Sequence, residues 1–89
     1  MNQRLLSEEL QLNLLSTLAD VFPSAINKTD YDEMFGGISN EVMLLNITKL
    51  IDDGLIEERA IIRLLRGPDI NLSQLKLTFD GYQALSSDG

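Results

Sequence analysis

The sequence predicts one α+β domain: three helices, a short first strand, a two-stranded antiparallel hairpin and a short C-terminal helix. Three observations carry this. Apolar residues recur at helical spacing behind good N-caps through the first half of the chain. From Leu72 to Phe79 the period falls to two, as in a half-buried strand. Just before that run, Arg66-Gly67-Pro68-Asp69 is turn chemistry, because glycine and proline both interrupt regular structure. With 89 residues, of which 44% are hydrophobic, the chain has material for one core, so residues 1–89 are read as a single domain.

The first helix is expected from Ser7 to Phe22. Ser7 is an N-cap, Glu8 and Glu9 suit the positive helix end, and Leu10, Leu14, Leu15, Leu18, Val21 and Phe22 repeat on one side until Pro23. Ser24 to Ile26 is the short first strand. Asp30 followed by Glu33 has the form of a reciprocal cap opening a short second helix through Phe35, which Gly36 and Gly37 end. Ser39 caps a third helix reaching Asp53, with Met43, Leu44, Ile47, Leu50 and Ile51 as its inner face and Gly54 as its terminator. Two helices joined by a tight glycine turn make a helix-turn-helix candidate.

Residues 57–65 carry two readings. Ile56, Ala60, Ile61, Leu64 and Leu65 fit helical spacing, and Glu, Arg, Ala and Leu are good helix formers. The run from Leu72 to Phe79, however, needs a partner strand, and Glu58 to Leu65 folded back across Gly67-Pro68 supplies one. Strand is the expectation. Thr78 then caps the closing helix, Phe79 to Leu85.

Two stretches resemble local signatures of the winged helix-turn-helix superfamily. Ile47-Thr48-Lys49-Leu50-Ile51-Asp52-Asp53-Gly54-Leu55-Ile56 resembles the end of its third helix and the acidic, Gly, Leu, Ile entry to the wing. Leu77-Thr78-Phe79-Asp80-Gly81-Tyr82-Gln83-Ala84-Leu85 resembles the Leu-Thr-x-x-Gly-x-x-x-Leu exit found in small bacterial and phage families such as the YjcQ-like proteins. The resemblance implies a winged helix-turn-helix fold and a DNA-binding role in a bacterial or phage transcriptional regulator. Its third helix would enter the major groove and its two-stranded wing would touch the backbone.

Composition limits the chemistry. There is no cysteine and no histidine, which removes the usual zinc ligand sets and most nucleophile–base pairs. Asp30, Asp32 and Glu33 lack calcium-loop spacing and read as capping and surface residues. The expectation is no enzyme, no metal and no cofactor. Met1 to Leu10 offers only Leu5 and Leu6 before Ser7, Glu8 and Glu9, unlike a secretory leader, and no apolar run spans a bilayer. A cytoplasmic protein with no membrane partner is expected.

The net charge of −7 opposes non-specific binding to nucleic acid. Between Arg59 and Phe79, however, Arg59, Arg63, Arg66 and Lys76 face only Asp69, a local +3 that leaves −10 elsewhere. On the third helix, Glu41, Val42, Leu45, Asn46, Lys49, Asp52 and Asp53 project away from the expected core. Asn46 and Lys49 are the residue types that read base edges, and Arg59, Arg63, Arg66 and Lys76 are the candidate phosphate contacts. The alternative is a protein-interaction module on the same scaffold, using Val42 and Leu45 and the apolar side of the wing. Leucines beyond the core's needs, including Leu5, Leu6 and Leu12, make a homodimer a candidate assembly.

Overall fold

A computed structural model describes residues 6–86, so Leu5 lies outside the described residues. Helix α1 spans Glu8–Val21, α2 Lys28–Phe35, α3 Asn40–Asp52 and α4 Phe79–Ser86. Strands β1, Ile61–Leu64, and β2, Gly67–Ile70, form an antiparallel hairpin. Among the described residues the architecture is α+β, with four α-helices and a two-stranded antiparallel sheet.

The Ser7 hydroxyl accepts the Leu10 N–H at 3.1 Å and opens α1, whose Leu10, Leu14, Leu15 and Leu18 form one buried stripe. That stripe packs on Met43, Ile47 and Leu50 of α3, and Ile26, Phe35, Ile56, Ala60, Leu75 and Leu77 complete the core. The cap of α2 falls earlier than expected: Asn27, not Asp30, is the N-cap, and its Oδ1 accepts the Asp30 N–H at 2.8 Å. Asp30 reciprocates with its carboxylate, which accepts the Asn27 Nδ2–H at 3.2 Å. Ser39 caps α3 as expected, and Gly54 takes the left-handed φ of 79° that turns the chain out of that helix.

The strand expectation for residues 57–65 holds for its second half, and the helical reading does not. Glu58–Ala60 forms a single 3₁₀ turn and Ile61–Leu64 is strand. The partner of β1 is not the 72–79 run but Gly67–Ile70, with Ile61 opposite Ile70 and Leu64 opposite Gly67. The turn therefore sits at Leu65-Arg66, two residues before the expected Gly67-Pro68. Neither Leu65 nor Arg66 has positive φ, which rules out the tightest hairpin turn types, and Gly67 at φ 122° absorbs the twist instead. Pro68, lacking an N–H, is tolerated because a two-stranded sheet is all edge.

Below the hairpin the two chains keep running side by side. Asn71 N–H donates to the Ala60 carbonyl at 2.8 Å, Glu57 N–H to Lys76 at 3.0 Å, and Thr78 N–H to Leu55 at 3.0 Å. Ile56 bridges Leu77. An uninterrupted ladder counted from the tip would put Ile56 opposite Leu75, so the 3₁₀ turns at Glu58–Ala60 and Leu72–Gln74 carry a register offset of two residues. An even offset preserves the side-chain face, and Leu75 and Leu77 stay buried as their alternation predicts. Phe79, expected to continue that face, is exposed at the start of α4. The short first strand reduces to one hydrogen bond, from Ile26 N–H to the Leu75 carbonyl at 3.1 Å.

Helix α4 closes the domain. Thr78 Oγ1 accepts the Gly81 N–H at 2.8 Å and donates to the Gly54 carbonyl at 2.7 Å, capping α4 while tying it to the end of α3. Gly81 lies directly on the Leu55 carbonyl, where a Cβ has no room. Phe22 and Tyr82 stack at 4.3 Å between ring centroids, joining α4 to the end of α1.

Candidate interaction surface on α3 and the hairpin

The inner face of α3 is rotated from the one the sequence suggests. Asn46 is fully buried and Leu44 is not. Asn46 Oδ1 accepts the Ser7 backbone N–H and the Gln11 Nε2–H, each at 2.9 Å, and its Nδ2 donates to the Val42 carbonyl at 2.8 Å. It thereby ties the start of α1 to the middle of α3. As a reader of base edges Asn46 is therefore corrected: its polar atoms are spent inside the fold. Val42, expected to project away from the core as a partner contact, is half-buried and packs partly against the core.

What α3 presents outward is the stripe Glu41, Leu44, Leu45, Thr48 and Asp52, residues three or four apart on one face. Of these the sequence reading named Glu41, Leu45 and Asp52 as facing away from the core; it did not name Leu44 or Thr48. The ammonium of Lys49 holds the Asp53 carboxylate, at 2.8 and 3.0 Å to its two oxygens, so the single cation of this helix face is paired within it. Such an exposed i,i+4 pair stabilises by only about 0.3–0.5 kcal/mol and opens readily.

The hairpin stands beside this stripe. Pro68 of β2 and Glu41, Leu44, Leu45 and Thr48 of α3 line an open, mainly apolar groove of about 310 Å³. Cross-strand partners share a face of the sheet. Ile61 and Ile70 share the one packed against the core, and Arg63 and Pro68 continue it outward. On the opposite face Ile62 and Leu64 are exposed, and Leu65 at the tip is fully exposed.

The four cations are distributed along the hairpin and its base. Arg59 is exposed in the 3₁₀ turn, Arg63 is exposed on β1, Arg66 is exposed at the tip, and Lys76 is half-buried at the base. Arg66 reaches Asp69 at 3.4 Å. The Ile70 N–H that the Asp69 carboxylate accepts, at 2.8 Å, holds that carboxyl below its usual range, with Arg66 and the Asn40 side chain assisting. Half-burial, then the charges of Asp32 and Asp69, pushes the Tyr31 phenol up.

Among the described residues no group of three or more acidic side chains is placed to hold a metal ion, and no helix is long and apolar enough to cross a membrane. Comparison of the chain with protein-family models, curated proteins and solved structures returned no match.

Proposed function

We propose that the chain is a non-enzymatic protein-interaction module on a winged-helix scaffold, with α3 and the β1–β2 hairpin, its wing, forming the binding surface. The order of elements and the contact between the two signature stretches, Gly54-Leu55-Ile56 against Leu77-Thr78 and Gly81, support the scaffold. The observation that carries the interaction reading is the outward face of α3. It offers Glu41 and Asp52 around Leu44, Leu45 and Thr48, while Asn46 is buried. Acidic side chains on a helix meant for a DNA groove repel phosphates, and leucines there supply at most a methyl contact. The same mixture, apolar in the middle and charged at the rim, suits a protein surface.

A second reading is supported by a separate observation: Arg59, Arg63 and Arg66 are exposed along the hairpin of an otherwise acidic chain. Cations so arranged suit contact with the phosphate backbone of duplex DNA, as in a small bacterial or phage transcription regulator.

Titration against duplex DNA at low and moderate salt separates the two. The interaction reading expects no binding at low salt. Binding with a steep salt slope, flattened by about one unit for each contact removed in Arg63→Ala and Arg66→Ala, would overturn it and establish the DNA reading.

A further inference from the structure

We infer that the partner of this surface is a second copy of the chain, the hairpin tip of each copy seating in the α3 groove of the other. This rests on the interaction reading above and names its partner. The tip and the groove are complementary on two independent counts. The tip presents fully exposed Leu65 beside Leu64, flanked by Arg63 and Arg66. The groove presents Leu44 and Leu45 beside Glu41, and exposed Asp52 lies one turn beyond Thr48 on the same face of α3. Apolar atoms thus meet apolar atoms and cations meet carboxylates.

Neither half is satisfied within one molecule. Leu65 touches nothing that shields it, and the carboxylates of Glu41 and Asp52 are exposed. Arg66 has only the 3.4 Å contact to Asp69 on its own hairpin. A surface that carries both a knob and its matching groove is self-complementary. About a two-fold axis each copy gives one and receives one, so the interface closes at two copies and every contact occurs twice. Doubling matters for a domain this small, since a stable interface needs about 1,000 Å² or more in total.

The test is sedimentation equilibrium of the full chain from about 10 µM to about 1 mM, concentrations that bracket a weak self-association. Wild type is expected to dimerise, and Leu65→Asp to raise the dissociation constant tenfold or more with an unchanged circular dichroism spectrum. A pair of charge-reversed variants removes any ambiguity about folding. Glu41→Lys/Asp52→Lys leaves tip and groove both basic, and Arg63→Glu/Arg66→Glu leaves both acidic. Each is expected to be monomeric alone, and an equimolar mixture to form a heterodimer. A monomeric wild type over the whole range overturns the pairing, as does a dimer indifferent to Leu65→Asp or a mixture that stays monomeric. Those outcomes leave the interaction reading to the DNA titration, which fails or holds independently of them.

Discussion

The helical body and the hairpin are built on opposite terms. In the body, Leu14, Leu18, Met43, Ile47 and Leu50 are fully or almost fully removed from water. Among the described residues no buried side-chain polar atom lacks a hydrogen-bond partner. The hairpin reaches the core through Ile61 and Ile70 and leaves Ile62, Leu64 and Leu65 in solvent. Burial stabilises at about 25 cal/mol per Å² of apolar surface, so the body carries the free energy of folding and the hairpin adds little. A segment that contributes little to stability is free to be shaped by what it binds.

The sharpest way to break this comparison is to truncate one leucine in each region. Leu14→Ala empties a fully buried site between α1 and α3 and is expected to cost about 2–5 kcal/mol in urea unfolding of the monomer. Leu65→Ala is expected to stay within about 0.5 kcal/mol of wild type in the same measurement. Equal costs would mean that the hairpin is an integral part of the core, and the division between a body that folds and a tip that binds would fall.

A smaller effect sharpens the account of the body. Asn46 is its one fully buried polar side chain among the described residues, and it holds α1 to α3 through Ser7 and Gln11. Asn46→Ala removes the acceptor of the part-buried Ser7 N–H and of the Gln11 amide, and is expected to cost about 1–3 kcal/mol. Amide exchange should show the loss first at the start of α1. A variant as stable as wild type would mean that water replaces the side chain without cost.

The same contrast explains what was legible in the sequence. Helix α1 and the start of α3 follow from local chemistry, a serine cap and a leucine stripe, and stand within a residue or two of where that chemistry puts them. Gly54 and Thr78 were legible as well, because each meets a local backbone demand: a left-handed turn and a helix cap. The phase of α3 was not. Val42, Met43, Leu44, Leu45, Ile47, Leu50 and Ile51 nearly encircle the helix, so periodicity alone leaves its inner face free to rotate, and contact with Ser7 and Gln11 of α1 fixes it. That rotation buried Asn46, half-buried Val42 and turned Leu44 and Thr48 outward, altering the candidate site more than the fold. The hairpin was legible as a hairpin but not in register. The 3₁₀ turns at Glu58–Ala60 and Leu72–Gln74 form against each other, a contact between residues far apart in the chain.

The gentlest probe of the comparison is pH, because it loosens the hairpin and leaves the body's apolar core alone. The Asp69 carboxyl is held below its usual range chiefly by the Ile70 N–H, so in mild acid the folded hairpin binds fewer protons than the unfolded chain. Its contribution is therefore complete above the unfolded value of about 4 and is lost as pH falls through the lower folded one. The Ile70 amide resonance is expected to titrate in that interval below about pH 4, together with its neighbours on β1, and to become insensitive there in Asp69→Asn. The same substitution removes one of the charges that raise Tyr31, so the phenol should ionise at lower pH than in wild type, although burial still holds it up. If the α1 amides instead shift in step with Ile70, the acid transition belongs to the whole domain, and the hairpin does not loosen independently of the body.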